Sequence, residues 1–200
     1  LGKKGGVGWL MYFSYLTRTF GHANICKFTR ADGSPVRPWT DPAEMDEAMV
    51  QNWNSVVGEK DVVYHLGDVV MNRRFLPIMA RLNGRKKLIL GNHDIFDHKD
   101  YAQYFERLHG SFKFEDLMLS HIPLHHDSVA SWARCNVHGH IHEKDIDDSR
   151  YFNVSVENIE YTPVSLEDLR IKINEKQSCY SVDKNSNDVS VHSNDIGANI

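Results

Sequence analysis

The chain has 200 residues and a formal net charge of −4, with 41% hydrophobic and 25% charged side chains. That length supports one domain with a sizeable core and makes a second full domain unnecessary. The slight acidic balance excludes a global basic field that would draw the chain to nucleic acid or an anionic membrane. A phosphate-bearing substrate would therefore need a local positive centre, such as a metal. No apolar run reaches the ~18 residues needed to span a bilayer. Lys3 and Lys4 precede an apolar stretch, but no small-residue cleavage site follows, which argues against a signal peptide. Cys26, Cys135 and Cys179 are widely spaced and form no CxxC, which argues against a disulfide framework and fits a cytoplasmic location.

In chain order, Trp9 to Leu16 reads as a strand, and residues 17–24 leave it as a loop. Asp41-Pro42-Ala43-Glu44 predicts a helix start, with Asp as N-cap, Pro at the first helical position and Glu reaching back. Met45, Met49, Trp53 and Val56 follow at helical spacing as a core stripe, and Gly58 stops it. Asp61 to Leu66 reads as a second strand, Arg73 to Leu82 as a helix, Leu88 to Leu90 as a third strand and Asp100 to Leu108 as a further helix. Beyond this the pattern turns to strands: Phe112 to Phe114, Leu117 to Ser120, Cys135 to His138, Phe152 to Val156 and Pro163 to Leu166. Alternating strands and helices followed by strands predict a mixed sheet or two packed sheets with helices outside. From about Gln177 the apolar periodicity fades into Ser, Asn and Asp, which predicts a disordered polar tail over 177–200.

Four places share one design, a β run, then a small or turn residue, then metal-capable side chains. They are Gly67-Asp68, Gly91-Asn92-His93-Asp94, Ser120-His121 and Gly139-His140-Ile141-His142. Each follows a strand, so all four could converge at one sheet edge, where open α/β sheets bind ligands. An Asp carboxylate can bridge two cations, and His and Asn supply neutral ligands. A pair of ions could bind a phosphate, acidify a water and stabilise a leaving oxygen. His140-x-His142 is a stronger signal, because alternate residues of a strand point the same way and two imidazoles then face one point, with a solvated His-rich turn as the plainer reading. Taken singly the signals also fit plainer roles: Asp68 as a helix cap, His121 as a strand-end histidine, His65 as core or second layer. His125-His126-Asp127 reads as a nearby loop. His22 could touch substrate or sit in an ordinary loop.

Together, these motifs resemble those of the calcineurin-like metallophosphoesterases, from about Phe20 to Lys176. The similarity is closest to small bacterial and phage members, with Phe20-Gly21-His22-Ala23-Asn24-Ile25 and Arg37-Pro38-Trp39 also in place. The resemblance implies a four-layer α/β/β/α sandwich of two packed mixed β-sheets. It implies hydrolysis of phosphomono- or phosphodiesters by a metal-activated water, with two divalent ions drawn from Mn, Fe, Zn or Ni. By it Asp68 bridges the ions, Asn92, His121 and His140 hold one, and His142 holds the other. His93 would protonate the leaving group or stabilise its charge. Asn92, His93 and His22 would meet the substrate, a phosphorylated small molecule or nucleotide.

The family opens with Asp-x-His, whereas this chain holds Thr17 and Thr19 at those positions. A hydroxyl replaces neither ligand, so one metal site is incomplete as written. Reading the codons of residues 8–19 one base earlier can yield Asp-Thr-His-Phe. This leads to the expectation that residues 1–19 are an aberrant, out-of-frame segment that still contributes the first strand, ahead of a single domain over 9–176. A real loss of ligands, giving a non-catalytic phosphate- or partner-binding protein, is the alternative.

Overall fold

Residues adjacent along three strands serve two different cores. In β1 (Met11–Ser14), β2 (Val62–His65) and β3 (Arg85–Ile89), Tyr12, Val63 and Leu88 join one apolar cluster, and Phe13, Tyr64 and Ile89 join another. The period of two in side-chain direction turns these buried runs into a sheet covered on both faces. In the computed structural model, the described residues are 10–14, 20–21, 24–30, 32–129 and 132–191, with side chains described through Ser181.

β4 (Arg107–His109) and β9 (Val164–Ser165) complete this first sheet in the order β4-β3-β2-β1-β9. β1 to β4 run parallel, and β9 is antiparallel to β1. The second sheet has β5 (Ser111–Phe114), β6 (Leu117–Ser120), β7 (Cys135–His138) and β8 (Tyr151–Asn153) as consecutive neighbours. Its β5–β6 pair is antiparallel, and β6, β7 and β8 are parallel. The sheets meet through aromatic rings, Phe13 to Phe114 at 5.8 Å and Tyr64 to Phe112 at 5.4 Å between centroids. The protein is thus an α/β sandwich of two mixed sheets flanked by helices, the fold class implied by the motifs.

α1 (Pro42–Val56) starts as its sequence dictates, with Pro42 at the first position and Asp41 accepting from the Ala43 N–H at 2.9 Å. It buries Met45, Met49, Val50 and Trp53 in the cluster that holds Tyr12, Val63 and Leu88. The expected helix from Arg73 is a 3-10 helix, Arg73–Arg81, with Pro77 inside it. Pro77 has no N–H and its ring crowds the preceding turn, which disfavours α geometry there.

The helix expected over 100–108 is corrected. α2 spans only His98–Tyr101, and Arg107–His109 forms the edge strand β4 on β3. Tyr101 and Phe105 are buried core residues, and the open edge of β3 offers backbone partners that a local helix pattern does not reveal. α3 (Leu166–Val191) is capped by Ser165, whose hydroxyl accepts from the Asp168 N–H at 3.1 Å. It sends Leu169 and Ile173 into the inter-sheet core. The backbone stays helical through Val191, well past Gln177, where the sequence predicts a polar tail. The expectations for Thr17, Thr19 and His22, and for the segment 1–9, lie outside the described residues.

Candidate metal centre

The parallel pairing of β2 with β3, and of β6 with β7, brings four strand ends to one rim. Beyond β2 lie Gly67-Asp68, and beyond β3 lie Gly91-Asn92-His93. His121 leaves β6 and His140 follows β7, and the two ends are tied by the Gly139 N–H donating to His121 O at 3.0 Å.

Two glycines make the approach close. A Cβ on Gly91 would stand 2.3 Å from Asp68 Oδ1, and one on Gly67 would stand 2.6 Å from Gly91 N and from His121 Nδ1. Only hydrogen fits at either position. Asp68, His140 and His142 have φ of 52°, 69° and 56°. Left-handed backbone at residues of this kind costs roughly 1–3 kcal/mol each and persists where surrounding structure enforces it.

Asp68, His121 and His140 each bring a ligand atom within 4.8 Å of the others. His121 Nδ1 donates to the Leu66 carbonyl at 2.8 Å, and a carbonyl can only accept. The imidazole therefore turns an Nε2 lone pair into the site. There it faces Asn92 Oδ1 at 2.9 Å, His140 Nδ1 at 3.2 Å and Asp68 Oδ1 at 3.5 Å. Lone pairs of nitrogen and oxygen converging on one point fit a divalent cation well. Burial lowers the His121 pKa, opposed in part by the Asp68 carboxylate, which favours the neutral, ligating form.

Asp94 is turned away from this point. Its carboxylate accepts from the N–H groups of Asp68 at 2.7 Å, Val69 at 2.9 Å and Gly91 at 2.8 Å. It thereby staples the β2 exit to the β3 exit, while burial raises its pKa against those hydrogen bonds. His93 leads with its backbone, whose N–H donates to Asp68 Oδ1 at 2.9 Å.

His142 lies outside the three-ligand group, and the premise that strand alternation aligns it with His140 is corrected. β7 ends at His138, and both later histidines are in left-handed turn geometry. His142 Nδ1 donates to Glu157 Oε1 at 3.4 Å, and the same oxygen accepts from Arg37 Nη2 at 2.9 Å. Burial alone would raise the Glu157 carboxyl, yet the hydrogen bond from His142 and the Arg37 charge hold it below the ordinary carboxylate range.

The remaining histidines sort by environment. His65 is fully buried beside the Phe105 ring, and burial lowers its pKa to about 3. Its Nδ1 accepts from the Gly67 N–H at 3.2 Å. His138 is buried, and its pKa falls to about 4 for the same reason. His125, His126 and Asp127 form an exposed cluster of their own.

Two roles escaped the sequence. Asp94 looks like a fourth metal-capable side chain, but it orders backbone. Glu157 ends the run Val154-Ser155-Val156 beyond β8, the same strand-then-polar design as the other ligands, and that repetition was its available signal.

Asp, Asn and His side chains thus meet at one rim of a two-sheet α/β sandwich, in a group that could hold a metal ion. The calcineurin-like phosphoesterase family model matches residues 41–193, and the chain belongs to that family. It is 36% identical over 170 residues to an uncharacterized protein of Methanocaldococcus jannaschii, covering 78% of this chain and 87% of that one. It is 29% identical over 137 residues to the gene 66 protein of Mycobacterium phage L5, covering 51% of this chain and 66% of that one. A crystal structure of a protein of unknown function from Aquifex aeolicus shares the fold with TM-score 0.60 at 23% identity. It covers 82% of this chain and 98% of that one. Among the described residues, no helix is long and apolar enough to cross a membrane.

Proposed function

We propose that this protein hydrolyses phosphomono- or phosphodiesters with the help of divalent metal ions held at the Asp68–His140 rim. The observation that carries the reading is the convergence of Asp68, Asn92, His121 and His140 around one point, with the His121 lone pair aimed inward. A bound ion supplies Lewis acidity, which draws charge from a phosphoryl oxygen and lowers the pKa of water. Asp68, Asn92, His121 and His140 would hold one ion of the Mn, Fe, Zn or Ni class, and Asp68 and His142 would contribute to a second.

The chain's own groups do the rest. His93 follows Asn92 at the mouth of the rim and gives a proton to the departing ester oxygen or stabilises its charge. Asp94 fixes the backbone of Asp68 and Gly91, so the carboxylate and the amide keep their separation. His121 is oriented through its bond to Leu66. The free thiols Cys26, Cys135 and Cys179 support a cytoplasmic setting.

Metal content after purification, combined with turnover of aryl phosphate mono- and diesters in added Mn²⁺, tests the proposal. His140→Ala is expected to abolish turnover and to lower the bound metal. Unchanged turnover in that variant contradicts the assignment. One observation favours a second reading: Thr17 and Thr19 stand where the family's first ligands belong. A chain that retains one ion and binds phosphate without hydrolysing any ester would support a binding role.

A further inference from the structure

Among the described residues, a second group of metal-capable side chains lies apart from the rim: His125, His126 and Asp127. All three are exposed, and each brings a ligand atom within 4.8 Å of the others. The group shares no residue with Asp68, His121 and His140.

The loop that carries it has a fixed root. The Leu124 N–H donates to Asn136 Oδ1 at 2.9 Å, and the Tyr151 hydroxyl donates to Leu124 O at 2.7 Å. Asn136 is a buried residue of β7, so the root is tied to the second sheet. The 3-10 turn His126–Ser128 then closes with the Ser128 N–H donating to His125 O at 2.8 Å. The two imidazole rings pack on each other with centroids 4.1 Å apart, so each restricts the rotation of the other.

The ligand atoms face one another. The Asp127 N–H donates to His125 Nδ1 at 3.3 Å, so Nδ1 presents a lone pair on that side. The Asp127 carboxylate stands 3.7 Å from the same nitrogen and 3.1 Å from His126 Nε2. Ligand atoms about 2 Å from one tetrahedrally coordinated ion stand about 3.3 Å apart, close to these separations. A lone pair set against a carboxylate oxygen is stabilised when a cation lies between them.

From this geometry we infer that His125, His126 and Asp127 form a surface site for one divalent ion of the Zn, Ni or Cu class. Imidazole nitrogens suit these ions, whereas Mg and Ca prefer oxygen ligands. Three protein ligands leave a coordination position open to water. The inference does not rest on the phosphoesterase reading, because the two groups have no ligand in common.

Titration calorimetry with Zn²⁺ on the tag-free protein, at neutral pH and in excess Mg²⁺, tests it. His126→Ala is expected to lower Zn²⁺ uptake by one ion per chain, in the parent and in a His140→Ala background alike. Loss of an outer partner already weakens metal binding about 10–100-fold, so loss of a direct ligand should remove this ion from the titration. His126 is exposed, and an unchanged melting temperature would show that the variant folds. Proton–nitrogen correlation NMR gives a second readout on the unmutated loop: Zn²⁺ should shift the ring nitrogens of His125 and His126 in both the parent and His140→Ala. Zn²⁺ uptake that is the same with and without the His126 imidazole would overturn the inference. So would ring nitrogens that stay in place at saturating Zn²⁺, or displacement of the loop ion by Mg²⁺.

Discussion

Glu157→Ala probes the buried ion pair that stands behind His142. Arg37 and Glu157 pair at 2.9 Å with their side chains 0% and 1% exposed. Removing the carboxylate leaves a guanidinium charge uncompensated in the interior, which costs roughly 3–5 kcal/mol. For a chain of this size each kcal/mol shifts Tm by roughly 2–4 °C, so melting should fall by roughly 6–20 °C. Circular dichroism or calorimetry reads this directly. The variant also takes the acceptor from His142 Nδ1, and loss of such an outer partner typically weakens metal binding about 10–100-fold. The double variant Arg37→Met with Glu157→Leu separates the two effects. It removes both buried charges, so stability should return toward the parent while metal affinity stays low. The acid limb has a defined sign. The Glu157 pKa is lower folded than unfolded, so its stabilisation is fully present above the ordinary value near 4.5 and disappears as pH falls through the folded value. A Glu157→Ala protein that melts within about 2 °C of the parent would refute the claim that this buried pair holds Arg37 in place.

Asp94→Asn should weaken metal binding almost as much as Asp94→Ala. Both carboxylate oxygens accept from backbone N–H groups, and an amide must turn its NH₂ toward one of them; metal titration with near-parent affinity would disprove this. Gly91→Ala should cost about 1–3 kcal/mol through overpacking and should displace Asp68, since the new methyl would stand 2.3 Å from its carboxylate oxygen. A denaturation midpoint and metal content matching the parent would count against that packing. His65 and His138, with folded pKa values near 3 and 4, bind fewer protons folded than unfolded below the ordinary value near 6.5. Stability should therefore fall between pH 6.5 and 4 by roughly 1.4 kcal/mol per unit for each group. Urea midpoints that stay flat over that range would show that these rings are solvated.

Much of the fold was legible because burial writes a local pattern. The helix at Pro42 announces itself through Asp41, Pro42 and the stripe from Met45 to Trp53. The strands announce themselves as apolar runs ended by glycine or by a polar residue. The sequence also marked Asp68, Asn92, His93, His121 and His140 as strand-end residues, since parallel strands deliver their C-terminal ends to a shared edge. It misread 100–108, because helical spacing there competes with an open edge on β3 that exists only after the sheet has formed.

What the tertiary structure alone decided is which polar side chains face inward and which serve the backbone. Asp68 and Asp94 are the same residue type at two exits of one sheet. One turns its carboxylate to the rim, and the other satisfies three amide donors. The difference lies in which backbone N–H groups the parallel pairing of β2 with β3 brings within reach of each carboxylate, which local letters do not encode. Likewise Arg37 and Glu157 are 120 residues apart along the chain, and their pairing exists only in the folded molecule. Local propensity is carried by neighbours along the chain, whereas charge compensation in the interior depends on distances that exist only once the chain has folded.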